Sequence, residues 1–321
     1  MGDEKPEAET DDRVVLVTGG GGFLGARTAQ RLRSTGHPVV VLDDGSGGTL
    51  NRLDKLATDP AVRVHRCDLR DRDSVAAVCQ QERPWAVVHL AGRHFIPYCE
   101  AHPGETWQIN VEGTRRLLDA LTACPPRCFL FASTADVYRQ STSPHHEDDP
   151  LSPSTVYGRS KLAAEQLLWE TASGWDTTVV IARLFNLYGP HDTVSHLIPT
   201  IAAQAVSSGH LLLGDITTVR DFVYVDDAAS AVAELITCGL SGTYNIGTGT
   251  ATSGESIVEL VAKILGRDLT VALDPRRLRS INRRTLVADP TKLRTLLPRW
   301  PATPLDDGLE SVIDAHHRIA M

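Results

Sequence analysis

Short, unbroken apolar runs alternate along the chain with longer segments whose apolar residues recur at helical spacing. Residues 14–17, Val-Val-Leu-Val, carry no polar position, the pattern of a strand buried on both faces of a parallel sheet. Comparable runs at 39–42, 62–67, 85–90, 128–132 and 179–184 predict five more such strands, and 244–247 one further. Helical segments are predicted from the glycine-rich turn to Arg33 and over 73–82, 110–123, 157–172, 226–237 and 256–265. Residues 50–56 read as a short helix, 191–214 as an irregular stretch holding another, and 220–225 as a strand. Strands alternating with helices at this spacing predict βαβ units, hence an α/β chain built on a doubly wound parallel sheet. Ligands of such sheets lie beyond the carboxyl ends of the strands, so the residues that follow strands are the ones to search for chemistry.

Composition narrows the classes. The 321 residues are 42% apolar and 22% charged, an ordinary balance for a globular chain, and the net charge of −8 provides no general basic field for nucleic acid or anionic lipid. The first twelve residues, MGDEKPEAETDD, are acidic and polar, which predicts a disordered tail and no signal or transit peptide. No apolar run approaches the ~20 residues of a membrane span, so the expected location is the cytoplasm. Six cysteines are scattered without a C-x-x-C pair, and Cys124 and Cys128 flank two prolines with no matching second pair. Reduced thiols and no metal site are expected.

The first chemical signal is the turn after residue 17. Gly19, Gly22 and Gly25 follow a G-x-x-G-x-x-G spacing between a strand and a helix that opens with Phe23 and Leu24. Glycines there let the backbone approach a pyrophosphate, and the first helical amides favour its charge. The second strand ends in Asp43 and Asp44, followed by a loop containing Gly47, where a carboxylate would meet the adenosine ribose hydroxyls and repel a 2′-phosphate. NAD is therefore expected over NADP; the competing reading of Asp43 is a loop cap. Asp68-Leu69 after the third strand suits an adenine amino group, with Asp71 equally readable as a helix N-cap, and Leu90-Ala91-Gly92 lets the cofactor pass closely after the fourth. Tyr157 and Lys161 stand four apart on one helical face, where a neighbouring ammonium favours phenolate. Arg276, Arg277, Arg279, Arg283 and Arg284 gather in one stretch and suggest a bound phosphate, the alternative being a solvated loop.

Taken together, these residues resemble the extended short-chain dehydrogenase/reductases, specifically the NAD-dependent nucleotide-sugar epimerases and dehydratases. The resemblance runs from Val14 to about Leu309. It is carried by Thr18 to Gly25, Asp43, Asp68-Leu69, Leu90-Ala91-Gly92, Asn110-Val111-Glu112-Gly113-Thr114, Tyr157 to Lys161, Arg183-Leu184-Phe185-Asn186, Arg220-Asp221-Phe222 and Tyr244-Asn245-Ile246-Gly247. It implies a Rossmann-type domain over 13–187 and 222–248 and a smaller, mostly C-terminal substrate-binding domain over 188–221 and 249–319. By the same resemblance Asn110 and Phe185 join the cofactor site, Thr134 meets the sugar hydroxyl, Tyr157 is the base and Lys161 holds the nicotinamide ribose. Asn186, Leu197, Arg220 and Arg279 fall where the family grips the nucleotide, with His196 standing where an Asn is usual. Relatives also pair the helices at 110–123 and 157–172 across a two-fold axis, so a homodimer is expected.

The reaction is the open part of the sequence reading. Dehydratases of the family carry an acid and a Glu after the Thr at the fifth strand end, whereas this chain has Ala135 and Asp136. Ala135 removes an acid group, which favours a 4-epimerase acting on a nucleoside-diphosphate hexose or uronate. Asp136, with His94 or Cys99, keeps a 4,6-dehydratase or uronate decarboxylase in view, and a non-catalytic NAD-binding regulator is the remote alternative. The segment Arg93 to Cys99 is bulkier and more polar than the family pattern and, facing the sugar, leaves the substrate unassigned.

Overall fold

The computed structural model describes residues 13–47, 50–54, 56–278 and 283–320. The acidic tail, Arg279 and Asn282 lie outside the described residues. Seven parallel strands form the central sheet in the order β3-β2-β1-β4-β5-β6-β11: β1 (Val15–Thr18), β2 (Val39–Asp43), β3 (Val62–Arg66), β4 (Ala86–His89), β5 (Cys128–Thr134), β6 (Thr178–Leu184) and β11 (Gly242–Ile246). Strand order reverses between β1 and β4, where Thr18 lies in register with His89, and the crevice of a doubly wound sheet opens at that point.

Alternation along the strands divides the core. Val15, Val17, Val39, Val41 and Val88 face α1 (Phe23–Ser34) and α8 (Val225–Thr237), while Leu16, Val40, Leu42, Val87, Phe129 and Phe131 face the opposite layer. That second layer is α2 (Arg72–Glu82), α5 (Gly113–Leu121) and α6 (Val156–Ala172). Burial on both faces explains the unbroken apolar runs, each fully buried Val or Leu contributing ~1.5–3 kcal/mol. Asp71 takes the capping role, accepting from Ser74 N at 3.2 Å at the start of α2.

A third core joins α7 (Leu197–Ser207), α9 (Gly254–Leu265) and α11 (Leu305–Ala320) through Ile198, Ile201, Ile257, Val261, Leu309 and Val312. Around it run three small ribbons: β7 (Asn186–Tyr188) with β10 (Phe222–Tyr224), β8 (His210–Leu213) with β13 (Thr270–Leu273), and β9 (Val219–Arg220) between β12 (Thr252–Ser253) and β14 (Thr285–Leu286). A short helix, α10 (Thr291–Leu296), precedes α11.

Several expected elements differ. Residues 50–56 hold two 3₁₀ turns, Leu50–Leu53 and Leu56–Thr58, in place of one helix. The expected strand at 220–225 is broken at Asp221, whose buried carboxylate accepts from Thr248 N, Gly249 N and Ala288 N. The helix expected to begin at Asn110 opens as a π-helical turn at Gln108–Glu112. Two short helices, α3 (Ile96–Ala101) and α4 (Pro103–Trp107), fill the stretch before it, each with proline in its first turn. Among the described residues no helix is long and apolar enough to cross a membrane.

Candidate functional site

The glycine turn is closed by its own backbone. Gly19 sits at φ +68°, and a Cβ there would lie 2.8 Å from the Ala91 backbone; at Gly25 it would lie 2.1 Å from the Gly19 carbonyl. Helix α1 thus rests directly on the turn. Gly22 is its N-cap and supplies no side-chain acceptor, and the first turn holds no acidic residue. An uncapped helix N-terminus at the sheet's reversal point is a fitting seat for a dinucleotide pyrophosphate.

Asp43 is buried and accepts from Gly21 N at 2.9 Å through one oxygen and from Gly45 N at 2.8 Å through the other. It therefore does cap its loop, and it also fixes the glycine turn. Each oxygen retains a further lone pair for a ribose hydroxyl. Asp44 accepts from Ser46 N, and Gly47 is exposed beyond it. Asp68 is gripped by the Arg70 guanidinium, which holds its carboxyl below the ordinary range, beside the buried Leu69.

Thr134, Tyr157 and Lys161 come together past the end of β5. Thr155 caps α6 by accepting from Gly158 N, which starts the helix so that Tyr157 and Lys161 lie one turn apart on one face. Lys161 is buried, its Nζ 4.6 Å from the Phe131 ring centre, and burial pushes the amine down to about 8 while Glu165 opposes the shift. Gly92 packs beside it: a Cβ there would stand 2.9 Å from Asn110 Oδ1 and 3.4 Å from Nζ. The phenol differs from expectation. Burial raises Tyr157, a hydrogen bond with Thr134 opposes the rise, and Asp136 adds to it. Lys161 alone therefore does not poise Tyr157 as phenolate.

Asn110 is a brace across this site. Its Oδ1 accepts from Arg93 N at 2.7 Å, and its amide donates to Arg93 O and Ser160 Oγ, tying the segment after Leu90 and Ala91 to α6. Asp136 is likewise committed. One oxygen accepts from the Thr155 hydroxyl and the other lies 3.1 Å from Arg283 Nε, with both partners of the ion pair buried. Asp136, the alternative dehydratase base, thus has two partners already in place. The expected single arginine cluster is divided among the described residues: Arg276 and Arg277 pair with Asp274, while Arg283 turns inward to the carbonyls of Asp136 and Tyr138.

Phe185 is buried at the end of β6, Asn186 opens β7, and Arg220 donates to the Val219 carbonyl. His196 caps the backbone start of α7, which begins with Leu197, and its ring centre lies 5.9 Å from that of His94. Cys99 is wholly buried, and burial raises its thiol.

Three polar assemblies were not anticipated. His89, buried between β1 and α5, meets Thr18 Oγ1 at 2.6 Å and Thr114 Oγ1 at 2.9 Å; Thr114 donates to the Asn110 carbonyl, so His89 Nε2 donates to Thr114. Burial pushes its pKa down to about 3. Glu165 receives a forked bond from Arg183 and the Ser133 hydroxyl, binding α6 to β5 and β6. Asp192 reaches His196 Nδ1 at 3.1 Å. The four-residue spacing Tyr157, Lys161, Glu165 and the pair Asp192, His196 were the available signals.

Residues 15–247 match the model of the NAD dependent epimerase/dehydratase family. The chain is 32% identical over 317 residues to a UDP-glucose 4-epimerase of Bacillus subtilis (strain 168), covering 90% of this chain and 92% of that one. Its fold is similar to that of UDP-glucose 4-epimerase with UDP-glucose from Thermotoga maritima, with a TM-score of 0.88 at 26% identity over 96% and 100% of the two chains. It is also similar to UDP-glucuronic acid 4-epimerase from Bacillus cereus in complex with UDP-glucuronic acid and NAD, with a TM-score of 0.85 at 26% identity over 95% and 99%.

Proposed function

Because the chain belongs to the NAD dependent epimerase/dehydratase family, we propose that it is an NAD-dependent nucleotide-sugar 4-epimerase, working on an NDP-hexose or NDP-uronate through a transient 4-keto sugar. The observation that carries this reading is the convergence of Thr134, Tyr157 and Lys161 at the carboxyl end of β5, with Gly92 against Lys161. The amides of Phe23 and Leu24 with Gly19 and Gly22 hold the pyrophosphate, Asp43 the adenosine ribose, and Gly92 and Lys161 the nicotinamide end. Bound there, NAD would supply reversible hydride acceptance at the sugar C4 and a positive ring whose charge would favour phenolate at Tyr157.

Tyr157 removes the C4 hydroxyl proton and gives it back after the ketosugar has turned over, while Thr134 orients that hydroxyl. Asn186, His196, Leu197 and Arg220 hold the nucleotide sugar against the third core, with residues 188–221 and 249–319 as the substrate-binding part. The engagement of Asp136 by Arg283 and Thr155 weighs against elimination of water, which needs a free carboxylate beside Tyr157. A homodimer is proposed through α5 and α6, where Trp169 on α6, and Trp107 at the end of the neighbouring α4, remain about 40% exposed.

The test is a panel of UDP-, dTDP-, GDP-, CDP- and ADP-sugars, read by mass spectrometry and by proton NMR in deuterated water. A 4-epimer of unchanged mass with no deuterium at C5 is expected. Loss of water or of carbon dioxide would replace the epimerase reading by a dehydratase or a uronate decarboxylase.

A further inference from the structure

One carboxylate stands where the chain crosses between the central sheet and the third core. The chain leaves the sheet after β6 for β7, returns through β9 and β10 to α8, and leaves again after β11 for β12. Asp221 lies between β9 and β10 and is wholly buried. Its peptide group joins two neighbours: the N–H donates to the Leu286 carbonyl at 3.0 Å, and the carbonyl accepts from Asn186 N at 3.0 Å. Its side chain reaches further. One oxygen accepts from Thr248 N at 2.8 Å and from the Thr248 hydroxyl at 2.7 Å, the other from Gly249 N at 2.8 Å and Ala288 N at 3.1 Å. A single residue thus ties together the start of β7, the turn after β11 and the end of β14.

Only a carboxylate fits that role. Its two oxygens offer about four lone-pair sites, and all are taken. Three of the donors are backbone N–H groups, which cannot reverse; the Thr248 hydroxyl accepts from Thr250 N at 3.0 Å and turns its own hydrogen to Asp221. Asparagine would set an amide N–H against a backbone N–H. The turn that donates is fixed from its other side, where Trp300 Nε1 donates to the Gly247 carbonyl at 2.7 Å and the Arg294 guanidinium to that of Thr248 at 3.0 Å. A Cβ at Gly247 would lie 2.8 Å from the Asp221 carboxylate, so glycine lets the turn close on it. The neighbours of this junction are residues placed above on the nucleotide. Arg220 is in register with Thr252 of β12 on one side and Leu286 of β14 on the other, while Asn186 is in register with Phe222 in the β7–β10 ribbon. These are separate ribbons, and Asp221 is bonded to both.

We propose that Asp221 is a positioning residue for the nucleotide: its carboxylate fixes the spacing of Arg220 and Asn186, and with it the grip on the diphosphate, without itself touching the ligand. This rests on the nucleotide-sugar reading above and deepens it. A guanidinium holds a diphosphate through directed, charge-assisted bonds, so a shift of the strand that carries Arg220 costs affinity even though the charge is kept. The glycine turn, Asp43 and Lys161 belong to β1, β2 and α6, outside this junction, and the cofactor seat therefore keeps its own support. The consequence is a separation: loosening Asp221 weakens the nucleotide and spares NAD.

The experiment titrates NAD-loaded wild type, Asp221→Asn and Thr248→Val calorimetrically with UDP, dTDP, GDP, CDP and ADP, and compares the three proteins on the diphosphate that wild type binds most tightly. NAD released on denaturation and thermal melts are measured on the same samples. Asp221→Asn should keep its NAD and bind that diphosphate about tenfold or more weakly, the worth of one charge-assisted hydrogen bond from Arg220. Thr248→Val removes the hydroxyl and leaves the three backbone donors, so the loss should be smaller, about two- to fivefold, again with NAD unchanged. An Asp221→Asn protein within about twofold of wild type, or one that loses NAD and the diphosphate by the same factor, would overturn the positioning role; the second result is what general loosening of the fold produces. Where Asp221→Asn does not fold, Thr248→Val decides, and an unchanged affinity there overturns the inference. A wild-type protein that retains NAD and binds none of these diphosphates overturns the nucleotide-sugar reading itself, and this inference falls with it.

Discussion

Replacing Lys161 by methionine should make the protein inactive and more stable at once. Burial lowers the amine from 10.5 to about 8, and at ~1.4 kcal/mol per pKa unit the charged form is roughly 3 kcal/mol less favourable in the fold than in the unfolded chain. Methionine keeps an unbranched stem against Phe131 but gives up the cation contact to its ring, worth ~0.5–2 kcal/mol. The expected net gain is about 1–2 kcal/mol. With an unfolding entropy of ~2.1 cal/mol/K per residue over 321 residues, that raises Tm by about 2–3 °C. The pH dependence is specific. Below about 8 both folded and unfolded wild-type chains carry the proton, and the variant has its full advantage. Between about 8 and 10.5 the folded protein releases it first, so the unfolded state binds more protons and wild-type stability rises with pH. The advantage of Lys161→Met therefore shrinks through that window and vanishes above it. Thermal melts of both proteins by circular dichroism at about pH 7 and about pH 10 measure the difference. A variant less stable than wild type at the lower pH, or one with the same advantage at both, would refute the reasoning.

Tyr157→Phe should lower turnover ~10²–10⁴-fold while the purified protein still releases NAD on denaturation; an active variant would reject Tyr157 as the base. Arg283→Leu leaves the Asp136 carboxylate buried without its cation, at a cost of ~3–5 kcal/mol. Tm should fall by about 4–8 °C on the same entropy scale, and Asp136→Asn added to it should recover most of the loss, because the Thr155 bond survives. A double variant no more stable than Arg283→Leu would show that the ion pair is not the cause. For the proposed dimer through α5 and α6, sedimentation equilibrium at micromolar concentration should give twice the chain mass, and Trp169→Glu should shift it toward the monomer.

What could be read from the sequence follows from the range of the forces involved. The strands were legible because both sheet faces are covered, so β1 and β2 could carry no polar residue in their interiors without leaving it unpaired. The glycine turn was legible because its constraint is steric and local: only glycine tolerates the approach of Gly25 to the Gly19 carbonyl. Asp71 showed itself through the short-range geometry of a cap. Helices α3 and α4 stayed hidden because each is barely a turn long and opens with proline, which reads as loop when no periodicity follows.

The polar framework of the site was hidden for a different reason. Arg283 and Asp136 are separated by 147 residues, and Asn110 and Ser160 by 50, so no local pattern links them. A carboxylate after a strand looks the same in sequence whether it faces a ligand, as expected of Asp136, or closes a buried ion pair. What decides between these is desolvation: once Asp136 is buried, its charge must be matched by a cation and hydrogen bonds, and the fold supplies Arg283 and Thr155. Lys161 shows the opposite solution at equal burial. Its partner Glu165 is largely taken up by Arg183 and Ser133, so the amine remains incompletely compensated and its pKa falls. Two buried ionisable groups a short distance apart in the fold thus carry opposite settings, one matched by its partners and one incompletely compensated, a difference that their sequence neighbourhoods do not show.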